Sequence, residues 1–180
     1  ELLALEQELG ITMANSPTVN VGYEVLSELP KETHESPMLS LDKTKEIDGL
    51  KSFLGSQTGA ISWKLDGLTV VLTYENGELT KAVTRGNGEV GENIFHNALR
   101  IPSIPKYIDE KNEVVVDGEI ICTYSDFQPF ADSYKHPRNF AAGSIRLLDA
   151  AECEKRNLQF VAWNVVSKLK DTVIDNLETL

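Results

Sequence analysis

"ISWKLDGLTVVLTYENGELTKAVTRG", residues 61–86, decides the fold. Two runs rich in Val, Leu and Thr flank Asn76-Gly77, and Asn-Gly between β-rich runs is the strongest short-range hairpin signal, because both residues tolerate the positive φ of a type I′ turn. Antiparallel strands are therefore expected on either side. The first run also carries Lys64 in an otherwise apolar stretch, with Asp66 two positions on. Residues two apart share a face of a strand, so Lys64 and Asp66 would enter one side of a sheet while Trp63, Leu65 and Gly67 take the other. A solvated Lys/Asp face on an edge strand accounts for the same pair.

Outward from the hairpin, "EVVVDGEIICTY" (113–124) reads as a strand interrupted by Gly118, and "LQFVAWNVV" (158–166) as a buried strand. "GEVGENIFHNALRIP" (88–102) reads as a loop feeding a helix, and "NFAAGSIRLLDAAECEKRN" (139–157) as helical in part. In "MLSLDKTKEIDGLKSFLG" (38–55), Asp42 is a candidate N-cap for a helix with Ile47, Leu50 and Leu54 on one face. The opening "ELLALEQELG" has a helical stripe ended by Gly10, and the Ser-, Pro-, Asn- and Glu-rich stretch after it reads as an extended connection. The order helix, hairpin, helix, strand, helix, strand predicts an α+β fold. Residues 1–35 are expected to form an N-terminal helix and extended linker, and 36–180 one mixed domain.

Seventeen Lys and Arg against 28 Asp and Glu give a net charge of −11, so nucleic acid would have to be held by a local patch or by another part of the protein. The 180 residues, 41% hydrophobic, can bury a core. Two cysteines far apart and three scattered histidines supply neither a disulfide framework nor a transition-metal site. No run approaches a membrane span, and the acidic N-terminus is unlike a signal peptide, which makes a cytoplasmic location the expectation.

Residues 86–91, "GNGEVG", match the dinucleotide fingerprint G-x-G-x-x-G. Their context excludes that reading, because the strand before them is the second arm of a tight hairpin rather than the first strand of a βαβ unit. A glycine-rich loop near a phosphate stays open.

Five ordered segments carry a resemblance: "SPMLSLD" (36–42), "KLDG" (64–67), "YENGELTKAVTRGNGEVGE" (74–92), "VDGEI" (116–120) and "HPRNFAAGSIRLLD" (136–149). Together they resemble the adenylation domain of bacterial NAD-dependent DNA ligases. The first and last are the segments that favour the NAD-dependent branch, since K-x-D-G alone is shared with ATP-dependent ligases and capping enzymes. The resemblance implies a nucleotidyltransferase-type fold, antiparallel sheets flanked by helices (ATP-grasp-like), with 36–180 a partial adenylation domain. It implies that Lys64 attacks the α-phosphorus of NAD, releases nicotinamide mononucleotide and keeps AMP, with Asp66 and Arg146 in the catalytic set. Attack needs the neutral amine, whereas an exposed lysine titrates near ~10.4, so burial and nearby cations are expected to depress it.

The same resemblance assigns Arg85, Arg138 and Arg146 to the phosphates, Glu119 to the ribose hydroxyls, Ser40 and Leu41 to the adenosine and Trp163 to the adenine face. Mg²⁺ is the expected companion of the phosphates, with no metal-ligating side chain assigned. The implied partners are NAD or AMP and, through the full-length protein, nicked duplex DNA, with no membrane and a monomeric state. Ser62 stands where the family usually has a glutamate, and Asp117 where it usually has an arginine. The chain also stops short of the later lysine-bearing strand and reads as a fragment. Those departures leave an alternative, a non-catalytic, degenerate nucleotide- or partner-binding module of the same fold.

Overall fold

The computed structural model describes residues 28–38, 42–59, 61–167, 169 and 175–176. The helix expected over 1–10, and Ser40 and Leu41, lie outside the described residues. The architecture is α+β, with antiparallel sheets and several short helices.

The hairpin forms where expected. Strands β2 (Leu68–Glu75) and β3 (Glu78–Thr84) are joined by Asn76 and Gly77, whose φ values of 54° and 83° are the two positive angles a type I′ turn requires. Strand β5 (Val114–Ile121) pairs antiparallel with β2, and β6 (Gln159–Val165) with β5, so the four-stranded sheet runs β3-β2-β5-β6. Because β6 is an edge strand, it alternates between exposed and buried residues instead of burying both faces.

One face of this sheet, built from Val70, Leu72, Val116 and Ile120, packs on Ile94, Phe140, Ala141 and Ile145, and all eight are almost fully buried. Phe140 belongs to α4 (Pro137–Ser144) and is gripped by three rings, with centroids 4.5 Å away at Phe130, 5.1 Å at Tyr134 and 5.9 Å at Phe127. This anchor fixes the helix that carries Arg138 in its first turn and leads into Arg146 just past its end. The next helix, α5 (Ala150–Glu154), starts at Asp149, whose Oδ1 accepts from Ala151 N–H at 2.8 Å.

A second, two-stranded sheet pairs β1 (Lys31–Thr33) with β4 (Val90–Glu92), inside stretches expected to be linker and loop. Helix α2 (Phe95–Ala98) follows β4, while α3 (Tyr124–Phe127) follows β5. Helix α1 (Ile47–Leu54) forms, but Asp42 is not its cap. Glu46 occupies that position without a side-chain cap, and Thr44 Oγ1 accepts from Glu46 N–H at 3.1 Å. Its apolar residues Ile47, Leu50 and Phe53 are exposed.

Candidate active site

The sheet face opposite the core carries the site. Glu119 lies opposite Thr69 in the register of β5 and β2, and its carboxylate accepts hydrogen bonds from Thr69 Oγ1 at 3.0 Å and from the Gly67 N–H at 3.1 Å. Gly67 is required by space. A Cβ there would stand 2.0 Å from the carbonyl oxygen of Ile120, so the chain crosses β5 at a distance only glycine permits. Lys64, Asp66, Gly67, Thr69, Arg85, Gly86, Glu119, Arg138 and Arg146 thus border one small cleft of about 100 Å³ that opens to solvent. Four cations face two carboxylates in that lining, so the cleft is locally positive in a chain of net charge −11 and suits an anion.

The nucleophile candidate is not where the sequence pattern put it. Strand β2 begins at Leu68, and residues 61–66 form an extended lead-in outside the ladder. The reason is the length of the neighbouring strand. Leu68 pairs with Ile120, β5 ends at Ile121, and the chain then turns into α3, so among the described residues no strand runs beside Lys64. Lys64 is exposed, as are Ile61 and Trp63 at 100% and 93%, so packing among the described residues does not supply the burial expected around its amine. Asp66 is also exposed and accepts from Arg138 Nη1 at 3.1 Å.

Arg146 is held more firmly. Its Nε donates to Glu92 Oε2, while Glu92 Oε1 accepts from Lys31 Nζ at 3.1 Å. Burial pushes the Glu92 carboxyl up, but the hydrogen bonds and charges of Lys31 and Arg146 outweigh it and leave the group below the usual carboxylate range. Glu92 had no distinguishing signal in the sequence, since its partners lie 61 and 54 residues away.

Arg85 and Gly86 open the β3–β4 turn. Asn87 Oδ1 caps that turn by accepting from Glu89 N–H at 2.9 Å and Val90 N–H at 2.8 Å. Residues 34–38 lie across it. His34 N–H donates to Glu89 O and Met38 N–H to Gly88 O, each at 2.8 Å, and His34 Nε2 stands 3.1 Å from the carbonyl oxygens of Thr84 and Arg85. Facing two acceptors, that nitrogen is the donor. The "GNGEVG" glycines therefore build a strapped turn at the cleft rim and no βαβ phosphate loop.

Trp163 does not line the cleft. The β5–β6 register shifts between Asp117 and Gly118, which pair with Asn164 and Ala162, so Trp163 is the extra residue of a bulge and is 39% exposed. Asp117 is buried, and its Oδ2 accepts from Asn164 Nδ2 at 2.9 Å. Desolvation pushes its carboxyl above the ordinary range, against the opposing pull of that hydrogen bond and of His34. Cys122 and Cys153 are both buried free thiols away from the site.

Comparison with known proteins identifies the family. Residues 26–180 match the family model of the NAD-dependent DNA ligase adenylation domain. A DNA ligase of Lachnoclostridium phytofermentans is 54% identical over 173 residues, 92% of this chain and 26% of that protein. One of Ruminiclostridium cellulolyticum is 50% identical over 183 residues, covering 98% and 28%, and one of Clostridium kluyveri 40% over 167 residues, covering 84% and 25%. The chain spans about a quarter of the length of the curated relatives it matches.

Proposed function

Because the chain belongs to the NAD-dependent DNA ligase adenylation-domain family, we propose that it transfers AMP from NAD to Lys64 as the first step of nick sealing by a longer ligase. The observation that carries this reading is the convergence of Lys64, Arg85, Glu119, Arg138 and Arg146, drawn from four separate stretches of chain, on one cleft.

The neutral Lys64 Nζ attacks the α-phosphorus and sheds a proton. A phosphorus–nitrogen bond forms as the bond to the bridging oxygen breaks, and nicotinamide mononucleotide leaves with that electron pair. The arginines meet the charge that grows on the phosphate oxygens. Glu119 uses one lone pair of each oxygen on Thr69 and Gly67 and keeps others for two ribose hydroxyl donors. Lys64 is exposed to solvent, so desolvation of its amine would fall to the bound nucleotide, which would cover it.

The described residues do not build a magnesium site of their own. Among the described residues no group of three or more His, Cys, Asp or Glu side chains could hold a metal ion, and the two lining carboxylates are already engaged by Arg138, Gly67 and Thr69. Mg²⁺ belongs to this proposal only as an ion carried by the nucleotide phosphates, a mode it favours. We place the domain in the ATP-grasp-like nucleotidyltransferase architecture, acting as a monomer in the cytoplasm, with Ser40 and Leu41 as contacts of the nucleoside. No helix among the described residues is long and apolar enough to cross a membrane. Nicked DNA would be gripped mainly by other parts of the ligase, given the −11 charge here.

Intact mass before and after incubation with NAD and Mg²⁺ tests the reading. The parent should gain one AMP and Lys64→Ala none. Labelling of Lys64→Ala, or none of the parent, overturns it.

A further inference from the structure

Arg146 sits just beyond the end of α4, where the last carbonyls of a helix have no partner within the helix. Two carbonyls bracketing it, those of Ile145 and Leu147, are met by a single side chain. Asn97 Nδ2 donates to Ile145 O and to Leu147 O, each at 2.7 Å. Asn97 comes from α2, nearly fifty residues earlier in the chain, and is 0% exposed. His96 Nε2, 2.9 Å away, is a second donor to Leu147 O, so among the described residues the side-chain bond to Ile145 O is the one that Asn97 alone supplies.

The amide makes these bonds at a cost. Asn97 Oδ1 is buried and has no hydrogen-bond partner among the described residues. An unpaired buried acceptor is unfavourable, and an apolar side chain would fill the space without it. The donor, not the volume, is what the position uses. Glu92, five residues before Asn97, holds the guanidinium of the same arginine, so one short segment fixes Arg146 at both its backbone and its side chain.

We propose that Asn97 is a positioning residue for Arg146, setting the backbone from which the guanidinium reaches the cleft. The inference rests on the adenylate-transfer reading for its consequence in rate, but its geometry can be tested apart from activity.

In the full chain labelled with nitrogen-15, the Arg146 Nε–H resonance is assigned by its loss in Arg146→Lys. Asn97→Ala should shift or broaden that resonance while the backbone spectrum of β2 and β5 stays in place. An unchanged Arg146 resonance overturns the proposal. Asn97→Ser, which keeps a shorter donor, gives the same reading if Asn97→Ala does not fold.

In the adenylation assay Asn97→Ala should lower the single-turnover rate constant at saturating NAD by about tenfold, the scale of effect expected from slight misplacement of a reacting group, with the NAD concentration for half-maximal rate changed by less than about twofold. Placed in an Arg146→Ala background, it should cost less than about a further twofold, because two residues acting as one unit are not additive. An undiminished tenfold loss in that background overturns the positioning role. A parent that forms no adenylate defeats the functional reading instead, and the resonance still decides the placement of Arg146.

Discussion

On one wall of the cleft, Gly67, Thr69 and Glu119 are tied across two paired strands, and Arg146 is held by Glu92 and Asn97. On the other, residues 61–66 carry Lys64 on exposed chain, with the Asp66–Arg138 ion pair as the contact that crosses the cleft. The contrast separates two tasks. Groups that hold an anion gain from being fixed before it arrives, since ordering them on binding would cost affinity. In the proposed reaction the Lys64 amine would gain reactivity only after water is displaced from it, and an exposed position would leave that step to the substrate.

The largest effect that would break this contrast belongs to the firm wall. Gly67→Ala forces a methyl group against the Ile120 carbonyl and should cost about 3 kcal/mol, lowering Tm by roughly 10 °C in a chain of this size. Calorimetry that finds Gly67→Ala as stable as the parent would remove the close crossing from the account. Glu119→Ala comes next. It strands the Gly67 N–H and Thr69 hydroxyl and should weaken nucleotide binding about 100-fold by titration calorimetry, with a stability loss of about 1–2 kcal/mol.

The Glu92 latch offers a test by pH. Its carboxyl titrates lower folded than unfolded, so its contribution is present above the unfolded value near ~4.3 and is lost as pH falls through the folded one. Glu92→Gln should lie about 1 kcal/mol below the parent at pH 7, and the gap in melting temperature should close on acidification. Asp117 has the opposite sign. Its folded value is raised, so ionisation costs stability as pH rises from the unfolded value through the folded one, and Asp117→Asn should gain up to about 1 kcal/mol at neutral pH and nothing in acid. The smallest effect sharpens the contrast from the other wall. Arg138→Ala removes an ion pair exposed at both ends and should leave stability within about 0.5 kcal/mol while slowing adenylate formation.

What could be read in advance divides along local and distant contacts. The Asn76-Gly77 turn, strand β5 and the helical stretch after Pro137 are written in adjacent residues, through φ preferences, β-branching and a helix-starting proline. The pairing of β1 with β4 was not legible, because three-residue strands nearly sixty positions apart carry no periodicity. Lys64 was expected in mid-strand because its own residues favour one, but a strand needs a neighbour, and β5 ends before reaching it. Trp163 was assigned through the resemblance alone, and the bulge of β6 in which it stands gave no local signal in the sequence. The cleft cations were visible through the resemblance, whereas Glu92 and Asn97 were not singled out. Their importance lies in what they touch across the fold.

Exposed chain around Lys64 also bears on how the protein behaves in concentrated solution. Ile61 and Trp63 alternate with Ser62 and Lys64 along an extended, unladdered segment, and an open edge of that kind is a template for pairing between molecules. A net charge of −11 keeps such molecules apart at low ionic strength, where repulsion reaches tens of ångströms. Added salt shortens that reach without covering the edge, so self-association should rise with ionic strength, and dilute, low-salt buffers are those in which this chain stays dispersed.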